Sequence, residues 1–393
     1  MTVVDEGGAR AHAVDAHAGA HRCIPARLTD DDAAVRAHLL AVARAGGCAL
    51  WMRNTVDDAV SAYDALAAEH ADVTLVHARF PAARRSELED AIVRRFGPDS
   101  RGAERAGAVV VATQVLEQSL DLDFDAMVAD LKPMDALLQS AGRLQRHPRA
   151  ANGDPRGAGE PDGRDPATLW VHGPVFDPDP PADWYKAQFP LAAYVYPQIG
   201  WLWRTAELVA ARGELRQPDE LRDLIETALP ADDPGLPAEI EAGALEAEAA
   251  ALAERSYARG RLLLPRHGYT RTDGQWADDM RVPTRLGDSV ELCLVREAGD
   301  GSWQPWGAGG YPDGFLRVPA NRVADLRAHL DADRRAQALK ESDRRLAWRV
   351  VLPLAWDAEA GCWSSAQSTA HAPGVRYDPQ RGLVIDRERA NLG

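Results

Sequence analysis

The sequence predicts an α/β protein: a parallel sheet with flanking helices, followed by a helical connector and a small β-rich C-terminal domain. Three observations carry this. Between about residues 33 and 180, short apolar runs alternate with segments of helical period, the pattern of a parallel sheet covered on both faces. Residues 181 to 262 are mainly of helical period, and from about residue 263 strand-like runs return. A chain of 393 residues with 46% apolar content can fill more than one core, which supports a division into 1–180, 181–262 and 263–393.

In the first unit CALWMR, VTLV, AVVVAT, AMVAD and TLWVHG are the predicted strands. VDDAVSAYDALAAEH places Val56, Val60, Tyr63 and Leu66 on one helical face, with Thr55 and Asp58 spaced as a capping box. SELEDAIVRRFG aligns Leu88, Ile92 and Phe96 and stops at Gly97-Pro98. Pro133 suits the first turn of a further helix, one that carries Arg143 and Arg146 on neighbouring positions of one side. Residues 151–166, rich in Gly, Pro and Asp without an apolar anchor, predict a flexible surface loop. In the connector, Ile240, Ala244, Ala247 and Ala251 form one stripe. RLLLPRH, SVELCLVRE, WRVVLPL and GLVID are the strands of the last unit, with a helix near 320–340.

A net charge of −15 argues against a generally basic nucleic-acid coat or a membrane-surface protein. The tract from His77 to Arg105 is nevertheless +2, while residues 211–260 are −7 and make a poor DNA path. Cys23, Cys48, Cys293 and Cys362 are scattered without zinc or disulfide spacing, which fits a reducing cytoplasm. The longest apolar stretch, LAAYVYPQIGWLW, is too short and broken to cross a membrane, so no membrane partner is expected. His12, Asp15, His17, His21 and Cys23 fit no metal spacing, and no metal ligand set is assigned. Trp303 and Trp306 read as core residues of a small β domain.

The densest chemistry lies in residues 109–147. A polar loop follows one buried strand and a helix follows the next, and ligands of open α/β sheets bind where strands end. Two guanidiniums three residues apart match phosphate oxygens, although R-x-x-R alone more often describes arginines paired with surface carboxylates. The wider context decides. This stretch resembles motifs V and VI of superfamily-2 helicases, the latter as Gln139, Gly142, Arg143 and Arg146. ATQVLEQSLDLDFD, a proline, and then LLQSAGRLQRH resemble one branch in particular, the CRISPR-associated helicase-nuclease of type I interference systems. RNTVDDAVSAY, HARFPAARRSELE, LWRTAELV, QPDELRDLIE, PTRLGDSVEL and VRYDPQRGLVI resemble further segments of that family, so the likeness extends over most of the chain.

The resemblance implies a RecA-like fold for the first unit and roles for its residues. Arg146 would be the arginine finger on the γ-phosphate of ATP, Arg143 a second phosphate ligand, and Gln139 a contact near the attacking water or the γ-phosphate. Asp123 would lie at the ribose or nucleotide edge, and Gly142 would line the same cofactor cleft. Asn54, Thr55, Arg79, Arg85, Thr113 and Gln118 would hold the backbone of DNA, single-stranded in a translocating motor. Family members usually carry arginine where Ser140 stands and histidine where Gln145 stands, which puts one charge of the cleft in doubt.

The sequence contains no G-x-x-x-x-G-K-[ST], no D-E-x-H and no adjacent His-Asp pair. ATP with Mg²⁺ would therefore be held mainly by a partner half that carries the P-loop, the acidic motif and the nuclease, and the CRISPR surveillance complex is the further partner. On this reading the chain is the C-terminal half of an ATP-dependent DNA helicase, inactive alone. Two alternatives stay open: a non-catalytic helicase module that binds DNA or the surveillance complex, and half of a superfamily-2 helicase acting on RNA.

Overall fold

The computed structural model describes residues 2–5, 8–11, 21–117, 120–157, 159–230, 235–259, 289–331, 333–365 and 374–385. A hairpin of β1 (Thr2–Asp5) and β2 (Gly8–Ala11) precedes β3 (Arg22–Thr29). Helix and strand then alternate as α1 (Asp32–Arg44), β4 (Ala49–Met52), α2 (Val56–Ala67), β5 (Val73–Val76), α3 (Ala82–Phe96), the single turn α4 (Gly102–Arg105), β6 (Val109–Ala112), β7 (Ala126–Asp130), α5 (Met134–Ala141) and β8 (Leu169–His172). Six of these strands lie parallel in the order β5-β6-β4-β7-β8-β3.

All five predicted strands are present. β4, β6 and β7 are buried at every position, because both faces of the sheet are covered, and this is why they read as unbroken apolar runs. β3 is the strand the sequence hid. RCIPARLT mixes arginines and a proline into its apolar positions, because only part of it is covered.

Thr55 caps α2 by accepting the Asp58 N–H at 3.1 Å, while the Asp58 carboxylate takes the Thr55 hydroxyl. The face α2 buries is Ala59, Ala62, Tyr63 and Leu66, turned slightly from the expected stripe, so that Val56 and Val60 are half-buried at its margin. α3 buries Leu88, Ile92 and Phe96 and ends at Gly97, as its period indicates.

The connector comprises α6 (Ala192–Val195), α7 (Ile199–Arg212), β9 (Glu214–Gln217), α8 (Leu221–Ala228) and α9 (Ala238–Arg259). β9 leaves the helices and pairs antiparallel with β3, which makes it the seventh strand at the edge of the main sheet. α9 buries Ile240 and Ala244, and Ala247 and Ala251 are half-buried along the same stripe.

The C-terminal unit is a seven-stranded mixed sheet formed by β10 (Ser289–Glu297), β11 (Trp303–Pro305), β12 (Phe315–Pro319), β13 (Val350–Asp357), β14 (Cys362–Ser364), β15 (Val375–Asp378) and β16 (Gly382–Ile385), with α10 (Ala324–Asp331) and α11 (Arg334–Ser342) before β13. SVELCLVRE, WRVVLPL and GLVID correspond to β10, β13 and β16, whereas RLLLPRH lies outside the described residues. Trp306 packs edge-on against Trp363 and Tyr377, as a core residue should.

One expectation fails clearly. The loop 151–166 is anchored. Arg164 reaches from it into the domain and pairs with Asp123 at 3.0 Å and Asp125 at 2.7 Å, while Asp154 accepts the Gly102 N–H and the Arg149 carbonyl accepts the Gly163 N–H. Buried charge replaces the apolar anchor that the loop lacks.

Candidate nucleotide and nucleic-acid site at the strand ends

The parallel order places the carboxyl ends of β4, β6 and β7 side by side. Three polar segments emerge there: Arg53-Asn54-Thr55 after β4, Thr113 and the 3₁₀ turn Gln114–Glu117 after β6, and Asp130-Leu131-Lys132 after β7. Asp130 is fully buried. It accepts Arg53 Nε at 2.9 Å and the Asn54 N–H at 3.0 Å, and His172 Nδ1 lies 3.3 Å away. Burial pushes its carboxyl pKa up, but the Arg53 charge and these hydrogen bonds outweigh that and hold it below the ordinary value.

The expectation for the two arginines needs correction. α5 ends at Ala141, Gly142 is its cap, and the chain then curls back so that Leu144 bridges Phe124. The Phe124 N–H donates to the Arg143 carbonyl at 2.9 Å and the Gln145 N–H to the Phe124 carbonyl at 2.8 Å, with Gln145 at φ 44°. Arg143 and Arg146 therefore sit beyond the helix and point apart. Arg143 turns inward and donates to the carbonyls of Leu116 at 3.0 Å, Glu117 at 2.7 Å and Gln139 at 2.6 Å. Its guanidinium is used to clamp the turn after β6 to the end of α5, so a second phosphate ligand there would have to break that clamp. Arg146 turns outward, 45% exposed, with Nε 2.6 Å from Asp121 Oδ1. His147 Nε2 meets the same carboxylate oxygen at 2.8 Å.

Asp123 is also corrected. It is 0% exposed and surrounded by Arg105 at 2.8 Å, Arg164 at 3.0 Å and Arg149. Burial alone would raise its carboxyl pKa, yet Arg164, Arg105 and Arg149 hold it below the ordinary value. A carboxylate so enclosed does not face a ribose. Asp121, two residues earlier in the same SLDLD run, is the exposed one, and sequence reasoning missed it because both aspartates fit the motif.

Glu117 gathers a second cluster that the sequence did not disclose. Ser140 Oγ donates to its carboxylate at 2.6 Å, and Lys132 Nζ donates to the same carboxylate at 2.9 Å and to Ser140 Oγ at 3.0 Å. Lys132 is fully buried. The cation nearest Ser140 in this cluster is therefore an interior one, neutralised by Glu117.

The remaining expected residues divide. Gln139 exposes its side chain, and Gly142 caps α5 where a Cβ would lie 3.2 Å from the Gln139 carbonyl oxygen. Asn54 is buried, donating to the Leu131 carbonyl at 2.8 Å and the Tyr185 hydroxyl at 3.1 Å, and Thr55 is occupied as a helix cap. Thr113 is buried behind its turn, with its N–H on the Val76 carbonyl. Arg79, also buried, pairs with Asp57 at 2.6 Å, and Arg322 of the C-terminal unit reaches the same carboxylate. Its inward direction corrects a DNA-facing role. Arg85 is half-exposed, 3.6 Å from Glu89, and Gln118 lies outside the described residues. Asn54, Thr55, Thr113 and Arg79 shape the strand-end surface more than they present donors on it.

A parallel sheet of this order with flanking helices has the RecA-like architecture. The model of CRISPR-associated nuclease/helicase Cas3, C-terminal, matches residues 45–149. Cas3 of Escherichia coli is 40% identical over 114 residues, 28% of this chain and 13% of the relative, and Cas3 of Thermus thermophilus is 51% identical over 77 residues, 20% of this chain and 8% of the relative. The crystal structure of T. fusca Cas3 superposes with a TM-score of 0.73 at 26% identity over 95% of this chain and 43% of that one. The chain is similar to the C-terminal part of Cas3 and spans less than half the length of the solved Cas3 chain.

Proposed function

We propose that this chain supplies the arginine-bearing half of a composite ATPase site and part of the single-stranded DNA path in a Cas3-type helicase of type I CRISPR interference. The observation that carries this is the division of labour between the two arginines. Arg143 is fixed inside as a clamp, while Arg146 stands exposed beside the segment that leads into β7, with one exposed carboxylate as its acidic partner among the described residues. An exposed arginine–carboxylate pair is weak, so Arg146 can exchange Asp121 for a phosphate at little cost. T. fusca Cas3 has been solved in forms named for ADP, AMPPNP and ATP, which supports nucleotide use by the whole protein.

The residues present fit an incomplete cradle. ATP with Mg²⁺ would bring the reacting phosphoryl group, held mainly by a P-loop half of the protein. This chain would direct Arg146, with Gln139 alongside it, at the charge that develops on that group. Glu117, Lys132 and Arg143 would carry movement of α5 into the turn after β6. The surveillance complex is the proposed docking partner, in keeping with a CRISPR RNA-guided surveillance complex among the fold's structural neighbours.

Mixing the chain with a Cas3 half that carries the P-loop and measuring DNA-stimulated ATP hydrolysis tests the reading. Arg146→Ala should lower turnover by about a thousandfold or more, with DNA affinity nearly unchanged. Stimulation by RNA but not by single-stranded DNA would point to an RNA helicase. DNA binding without any effect of Arg146→Ala on hydrolysis would leave a non-catalytic module.

A further inference from the structure

The C-terminal sheet presents one residue that the ATPase reading leaves unused. Trp348 is 93% exposed, on the short connection between α11 and β13. Indole rings are ordinarily covered, and an isolated tryptophan in water is a group built to meet something. The backbone on both sides of it is pinned. Asp343 caps the turn through the Arg345 N–H at 2.9 Å, and Leu346 is fully buried with Cys293, Val295 and Val351. On the other side, Arg349 lies 3.9 Å over the Phe315 ring and pairs with Glu291 at 2.8 Å. The ring is held out by a fixed support.

Its surroundings select the occupant. Within 343–349 the charged residues are Arg344, Arg345, Arg349 and one acid, Asp343, in a chain whose net charge is −15. Arg345 is balanced by Asp343, whereas Arg344 is exposed with no acidic partner among the described residues. A protein-docking aromatic is normally ringed by further apolar groups that exclude water. Here Leu346, the large apolar residue of the same turn, is buried, and the exposed charged residues flanking Trp348 in sequence are Arg344 and Arg345. A single aromatic platform beside a free guanidinium suits a nucleobase and the phosphate next to it.

We infer that Trp348 and Arg344 form a contact for single-stranded nucleic acid on the C-terminal domain, with the indole stacking on a base and the guanidinium on the backbone. This rests on the proposal that the chain handles single-stranded DNA and adds a second point of contact away from the strand ends. The experiment is fluorescence anisotropy of a labelled oligothymidylate with the full chain, as Trp348→Ala, Trp348→Phe and Arg344→Gln. Trp348→Ala should weaken binding by about 5- to 150-fold, and Trp348→Phe should recover most of it. Arg344→Gln should make the logarithmic salt slope shallower by about 0.7. Unchanged affinity in Trp348→Ala would overturn the inference while leaving the strand-end reading standing, and no DNA binding by the unaltered chain would overturn both. Loss of association with the P-loop half at unchanged DNA affinity would make the residue a protein contact and overturn it as well.

Discussion

Asp123 shows how much of this domain is organised by one buried charge. Three arginines, from α4, from the end of the motif that contains Arg146, and from the loop 151–166, converge on it, and Arg105 and Arg164 also reach Asp125. Removing the carboxylate leaves guanidiniums without their partner in the interior, and breaking such a pair costs roughly 3–5 kcal/mol. We expect Asp123→Asn to lower the unfolding free energy by about that amount, as read from urea denaturation. The sign with pH follows from the depressed pKa. The native carboxylate stays ionised below the ordinary carboxyl range, so its contribution is complete above about pH 4 and fades only on further acidification. The deficit of the variant should therefore be constant through neutral pH and shrink in acid. A deficit under about 1 kcal/mol would show that the hub is a surface network after all. The SLDLD run announces that aspartates matter here, but not which one is interior. That depends on Arg149 and Arg164, which arrive from more than twenty residues away.

At the scale of elements, the sequence discloses those whose environment is uniform. β4, β6 and β7 are covered on both faces and α3 carries a clean apolar stripe, so their boundaries follow from local pattern. β3 and β9 are legible only through each other. RCIPARLT and ELRQ are polar by composition and become strands because they pair across a long stretch of chain, with Cys23 opposite Arg216 and Pro25 opposite Glu214. α5 fails differently: the helical period expected from the sequence runs through Arg146, but Gly142 ends the helix and Phe124 captures the chain that follows. The loop 151–166 is the sharpest case, since its anchors are charges. It also depends on Gly102, where a Cβ would overlap the Asn152 carbonyl oxygen. We expect Gly102→Ala to push residues 150–156 away and to weaken the seat of Arg164. Limited proteolysis should then cut within 151–166 well before the unaltered chain is cut, and equal rates would mean that the loop holds without this contact.

Across the whole molecule the C-terminal sheet is joined to the RecA-like domain through a continuous core. Val290, Leu292, Leu316, Tyr377 and Leu383 belong to the same apolar cluster as the main sheet. Arg322 and Arg79 share Asp57, Arg381 pairs with Asp64 at 2.6 Å, and the Leu383 N–H donates to the Arg79 carbonyl at 3.0 Å. His77 lies at the centre of this seam, stacked on Phe80, with Nε2 3.0 Å from the Arg381 carbonyl, and Gly382 is so close that a Cβ would lie 2.7 Å from the ring. Burial, and then the charge of Arg79, push the His77 pKa down to about 3. The ring is neutral in the folded protein, whereas in the unfolded chain it titrates near about pH 6.5. Between those values the unfolded state binds the extra proton, so stability is complete above the upper value and falls as the pH drops toward the lower one. From about pH 7.5 to about pH 5 this one group should remove roughly 2 kcal/mol. The His77→Asn variant lacks the titrating ring, so its unfolding free energy should fall by that much less over the same interval. Because the ring is buried only while the two domains are docked, far-ultraviolet circular dichroism and tryptophan emission should report one shared transition that shifts with pH. Two separated transitions, with only the C-terminal one sensitive to acid, would mean that the accessory sheet is a detachable cover and moves independently of the domain that carries Arg146.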